Sequence, residues 1–106
     1  MIVVFKEQYL KELYTDGKSS DKKHRYQPQI VLKYIKVIDL MICQDNVLGL
    51  MKYGSLHYEH LHGDKEGTSS VRVNDQYRIE FVEETDGQQE FATIVDIVEL
   101  SKHYSR

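Results

Sequence analysis

Proline, cysteine and tryptophan are almost missing from this chain, with one, one and none in 106 residues. A lone Cys43 cannot close an internal disulfide, so stability must come from a packed core. The scarcity of cysteine, together with an N-terminus that reads as no secretory leader, gives the expectation of a cytoplasmic protein. One Pro and six Gly exclude collagen-like and proline-rich disordered chains. Long apolar runs are lacking too. The longest, Met1–Phe5, is far short of the ~20 residues a membrane helix needs, so no membrane partner is expected. The sequence has no internal repeat, no G-x-S-x-G and no glycine-rich phosphate loop. At this length the whole of residues 1–106 reads as a single domain, too short to carry a separate cofactor fold.

What is present is ordinary in amount and uneven in placement. A hydrophobic fraction of 41% beside 29% charged residues fits a globular domain with one core. The formal charge of −3 argues against a simple nucleic-acid binder, which is normally basic. The distribution weakens that argument. Residues 1–80 hold twelve Lys/Arg and eleven Asp/Glu, a balance of +1, while residues 81–106 hold two and six, a balance of −4. A basic group stands at Lys18, Lys22, Lys23 and Arg25, with His24 among them. It reads either as a phosphate-facing loop or as a solvated one.

Local patterns give the order of elements. Ile2–Phe5 is short and β-branched, a strand. Glu7–Thr15 has helical spacing of Tyr9, Leu10, Leu13 and Tyr14, and Asp16-Gly17 stops it. Pro28 suits a first helical turn. Residues 30–44 follow with Val31, Ile35, Ile38, Met41 and Ile42 on one stripe and Ile30, Tyr34 and Val37 beside it. Asn46–Tyr53 reads as one more helical turn. After Gly54 the period changes to two, predicting strands at Leu56–Leu61, Ser69–Val73, Tyr77–Val82 and Phe91–Val98. The order β-α-α-β-β-β-β predicts an α+β fold, with two N-terminal helices packed on an antiparallel-rich twisted sheet.

Turn parity sharpens this picture. A two-residue loop at 74–75 would oppose Val71 with Arg78, mixing apolar and charged side chains on each face. A three-residue loop at 74–76 opposes Val71 with Ile79 and Arg72 with Arg78. Register follows the hydrophobic partition, so the odd loop is predicted. Val71, Val73, Tyr77, Ile79 and Phe81 then share the core face, and Ser70, Arg72, Arg78 and Glu80 share the opposite one. Two arginines side by side repel unless an anion bridges them or each finds a carboxylate, with Glu80, Glu59 and Glu99 as candidates.

Five titratable residues cluster at His57, Glu59, His60, His62 and Asp64. Their spacing matches no standard zinc pattern, so no metal site is assigned and the segment reads as polar surface. Near the C-terminus, His103 is either an exposed residue or a general acid, since histidine titrates near neutral pH.

The run Tyr58-Glu59-His60-Leu61-His62-Gly63-Asp64-Lys65-Glu66-Gly67, followed by Ser70-Val71-Arg72-Val73-Asn74-Asp75-Gln76-Tyr77-Arg78-Ile79, resembles the RelE/ParE toxin superfamily of type II toxin–antitoxin systems, in its HigB- and YoeB-like branches. The resemblance is specific over residues 58–81 and loose over 1–50. It implies a ribosome-dependent messenger-RNA endonuclease that uses no cofactor. The implied partners are the ribosome, its message, and a DNA-binding antitoxin from an adjacent gene. It further implies Glu59 as general base, with His57 and His60 as alternative bases, Arg78 as oxyanion stabiliser and His103 as general acid. Arg72, Tyr104, Lys102, Lys22, Lys23 and Arg25 become the expected RNA contacts. The ParE branch of the same fold implies an alternative, a DNA gyrase inhibitor without nuclease activity.

Overall fold

The structure, a computed structural model, describes residues 1–85, 87, 88 and 90–102. The chain opens with an edge strand β1 (Ile2–Phe5) and two helices, α1 (Gln8–Asp16) and α2 (Pro28–Cys43), followed by a short α3 (Val47–Met51). The strands β2 (Glu59–His60), β3 (Ser69–Arg72), β4 (Tyr77–Glu84) and β5 (Ile94–Lys102) complete it. They form one five-stranded sheet in the order β1-β5-β4-β3-β2, antiparallel throughout except for the parallel β1–β5 pair at one edge.

Each helix begins or ends where its chemistry dictates. Gly17 terminates α1 in the left-handed region at φ 76°, a conformation that costs glycine little. Pro28 occupies the first turn of α2, where an amide hydrogen would have no partner. The Asn46 side chain accepts the Leu48 amide at 2.9 Å and so caps α3. One face of α2 is buried through Ile30, Val31, Tyr34, Val37, Ile38 and Met41, while Ile35 is only half-buried and Ile42 is exposed. The buried stripe is therefore rotated from the expected one, toward the Tyr34 side. Tyr34 is fully buried and its hydroxyl donates to the Leu10 carbonyl at 2.8 Å, tying α2 to α1. These helices cover one face of the sheet, against Val71, Ile79, Phe81, Val95, Ile97 and Leu100.

Two expected strands need correction. The strand expected at Leu56–Leu61 shrinks to Glu59–His60. Gly54–Leu56 instead forms a 3₁₀ turn that plugs Leu56 into the core, and His57 takes φ 45°. The strand expected at Phe91–Val98 lies later, at Ile94–Lys102. Residues 92 and 93 are held outside the ladder, where the Ala92 carbonyl accepts the Val47 amide and the Thr93 amide donates to the Glu84 carbonyl. On the face opposite the helices, Ser70, Glu80 and Ser101 are buried.

The hairpin has the predicted register, with Val71 opposite Ile79 and Arg72 opposite Arg78. On the other side of β4 the pairing slips between Glu80↔Glu99 and Phe81↔Ile97, leaving Val98 as an extra residue in β5. This bulge switches the parity of β5. Val95, Ile97 and Leu100 all reach the core despite their uneven spacing, and Glu99 and Ser101 lie on the outer face beside Glu80 and Arg78.

Candidate functional site

A cleft of about 280 Å³ opens on the outer face at the hairpin end of the sheet. It is lined by Glu59 from β2, Arg72 from β3 and Arg78 from β4, together with His57, Ser70, Asn74, Asp75 and Tyr77. Strand alternation explains the gathering. Glu59 pairs with Ser70 in register, two residues before Arg72, and Arg72 faces Arg78. The three charged side chains therefore project from one face.

The two arginines are held differently. Arg72 pairs with Asp75 in the hairpin turn, and the Asp75 side chain is 90% exposed. Arg78 is held from behind. Its Nε donates to Glu80 at 3.3 Å and to the Ser101 hydroxyl at 3.4 Å. Glu80 also accepts Lys65 Nζ at 2.8 and 2.7 Å on its two oxygens, and the Ser101 hydroxyl at 2.5 Å. Burial by itself raises the Glu80 carboxyl. The hydrogen bonds from Lys65 and Ser101, with the charges of Lys65 and Arg78, outweigh it and leave the group below the usual carboxylate range. Of the three carboxylates expected to pair the arginines, only Glu80 does so; Glu99 lies 3.9 Å from Lys65 instead.

The histidine-rich segment divides between two places. His57 lines the cleft with Glu59. His60 does not: it sits in a separate group, its Nδ1 3.0 Å from the Ser69 hydroxyl, which donates to Glu83 at 2.6 Å. Glu83 also accepts the Tyr58 hydroxyl, and burial followed by this carboxylate contact pushes the Tyr58 phenol up. His60, expected as an alternative base, therefore lies outside the cleft and beside Ser69. Among the described residues, no three His, Cys, Asp or Glu side chains come together as a metal-binding set.

Those of the remaining expected residues that the structure describes do not line the cleft. Lys102 ends β5 opposite Tyr77, exposed. His103 and Tyr104 lie outside the described residues. Lys22, Lys23 and Arg25 are exposed on the loop between α1 and α2, and none of them lines the cleft. That loop is ordered by carboxylates and rings. Glu12 accepts the Ser20 amide at 3.0 Å, Asp21 accepts the Lys23 amide at 2.9 Å, and His24 stacks on Tyr9 at 3.6 Å. Its far end reaches the cleft through Tyr26, which meets Tyr77 edge-on at 5.6 Å. Sequence reasoning missed Lys65 and Ser101. Lys65 sits in a glycine-bounded turn and Ser101 beyond the expected strand, so neither shows a periodic signal.

Comparison with known proteins adds a second line of observation. The family described as RelE-like toxin of type II toxin–antitoxin system HigB matches residues 3–96. Toxin HigB-1 of Vibrio cholerae serotype O1 is 31% identical over 85 residues, which cover 76% of this chain and 82% of that protein. A YoeB/ParE toxin from Agrobacterium tumefaciens superposes with a TM-score of 0.56 at 19% identity, covering 98% of this chain and all of its own. A YoeB–YefM complex from Staphylococcus aureus gives 0.56 at 15% identity, covering 98% of each chain. A YafQ variant from E. coli gives 0.57 at 15% identity, covering 94% and 90%. At these identities the structural likenesses speak to the fold.

Proposed function

Since this chain belongs to the HigB-like family of RelE-like toxins of type II toxin–antitoxin systems, we propose that it is an endoribonuclease that cuts messenger RNA on the ribosome without a metal. The observation that carries this reading is the cleft, where Glu59 faces a pair of arginines on one sheet surface. Those are the groups that an internal attack on a phosphodiester needs. Glu59 removes the proton from a ribose 2′-hydroxyl, and its oxygen forms a new bond to the neighbouring phosphorus. Arg78, steadied by Glu80, and Arg72 stabilise the negative charge that grows on the phosphoryl oxygens. The bond from phosphorus to the 5′-oxygen breaks, and that oxygen takes a proton. The described chain ends at Lys102, opposite Tyr77 of the cleft. From the family resemblance, the reading assigns the leaving-group proton to His103 and substrate contact to Tyr104.

Tyr77 and His57 line the cleft and suit base stacking or a second proton relay. Lys102 and the loop lysines Lys22 and Lys23, with Arg25, supply positive charge outside it for flanking RNA or ribosomal phosphates. For the antitoxin, β1 is the natural landing place. It is a sheet edge whose Ile2 and Val4 side chains are exposed, and a partner strand can add there.

The test is cell-free translation of a defined message. Ribosome-dependent cuts are expected with the native protein and are expected to vanish with Arg78→Ala and His103→Ala. An intact message, together with gyrase-trapped DNA breaks, would replace this reading with the gyrase-inhibitor one.

A further inference from the structure

The positive surface does not stop at Arg72. Beyond that side chain a second depression, of about 330 Å³, lies between α2 and the β3–β4 hairpin. Arg72 and Asn74 line both depressions, so the two adjoin there. The new walls carry Lys33 and Lys36 of α2 and Ser55, over an apolar floor that includes Val37, Leu56 and Val73.

The charge on this depression is of one sign. Lys33 and Lys36 are exposed and three residues apart, on one face of the helix. The one carboxylate of α2, Asp39, accepts the Tyr14 hydroxyl at 2.5 Å and does not line the depression. Among the described residues no acid lines it at all. Arg72 does have a counter-ion in Asp75, but that side chain is 90% exposed, so exchanging it for another anion costs little. A protein of net charge −3 thus places three cations around one apolar-floored depression that adjoins its candidate active cleft.

We propose that this depression is a subsite for the message strand where it leaves the cleft. Lys33 and Lys36 hold backbone phosphates next to the scissile position, and Arg72 bridges the two sites. Ser55 and Asn74 offer hydrogen bonds to ribose or base edges. The apolar floor takes the face of a sugar or base. The position of the depression beside the cleft, with Arg72 lining both, favours an RNA strand over an acidic peptide, because a strand entering the cleft must leave it. The inference rests on the nuclease reading and specifies where that reaction grips its substrate.

The experiment measures KM and kcat for cleavage on ribosomes carrying messages of two kinds. One extends on both sides of the cut codon and the other is truncated beside it. Replacing both residues, Lys33→Gln with Lys36→Gln, is expected to raise KM on the extended message about tenfold and leave kcat within about twofold. The Lys33→Arg, Lys36→Arg pair is expected to restore KM. On the message lacking the contacted side, the native protein is expected to show the raised KM already, and the Gln pair to add nothing. An unchanged KM on the extended message removes the subsite and leaves the nuclease reading standing. Equal KM increases on both messages overturn the assignment to the message strand. An unchanged KM with weakened antitoxin neutralisation gives the depression to the partner protein, and also overturns it. If the native protein cuts neither message, the nuclease reading fails, and the subsite fails with it.

Discussion

Two arginines opposed across an antiparallel pair repel one another, and the chain offsets that repulsion unequally. Arg72 leans on an exposed aspartate in its own turn, while Arg78 is fixed by a buried carboxylate that also binds Lys65 and Ser101. The better-held arginine is the better candidate for transition-state charge, because a preorganised donor need not reorganise during reaction. Arg78→Ala is expected to lower single-turnover cleavage by about 10²–10³-fold. Arg78→Lys is expected to recover little of it, since an ammonium lacks the planar fork. Glu80 makes a separate prediction about stability. Its pKa is lower in the folded than in the unfolded chain, so its contribution is fully present above the unfolded value and is lost as pH falls through the folded one. Glu80→Gln is therefore expected to destabilise the protein near neutral pH by about 1–3 kcal/mol. The gap to the native protein should narrow as the medium is acidified, as denaturant titrations at several pH values would show.

At the scale of elements, small parity changes decide which chemistry meets. A three-residue hairpin loop aligns Arg72 with Arg78, and an extra residue at Val98 turns Ser101 toward Glu80. The alternation of β2 separates Glu59, in the cleft, from His60, beside Ser69. Glu59→Gln is accordingly expected to depress cleavage strongly, whereas His60→Gln should leave the rate within a few-fold when both are assayed on one message. The loop was legible because Val71, Ile79 and Phe81 sort to one side only with that length. The bulge was not, because the expected strand stopped at Val98, so the change of parity between Ile97 and Leu100 fell outside it. Helix ends were more readable. Gly17→Ala leaves nothing for the new methyl to strike, so its cost is the left-handed backbone alone, about 1–2 kcal/mol. A fall in thermal midpoint of roughly 4–8 °C per kcal/mol is expected.

Over the whole molecule, charge and apolar surface are sorted rather than mixed. The cations Lys33, Lys36, Arg72 and Arg78 surround the hairpin end. The outer face toward β1 instead exposes Ile2, Val4 and Val82, with a buried Asp96 oxygen that has no hydrogen-bond partner among the described residues. An uncovered apolar edge strand invites pairing with another chain. Val4→Lys is expected to reduce self-association of the isolated protein in light scattering and to weaken antitoxin binding, with folding stability changed by no more than about 0.5 kcal/mol.

The sequence by itself determined the α+β architecture, the helix stops, the hairpin register and the arginine pair, because each depends on local period, turn chemistry or the sorting of apolar residues within one hairpin. Its motifs also pointed to the toxin family that the comparisons establish. Only the tertiary structure decided which carboxylate holds Arg78, which histidine shares the cleft with Glu59, and that the positive surface continues past Arg72 onto α2. Those meetings join residues far apart in the chain. Their geometry is set by strand order, a bulge and helix packing, none of which leaves a periodic mark on the residues involved.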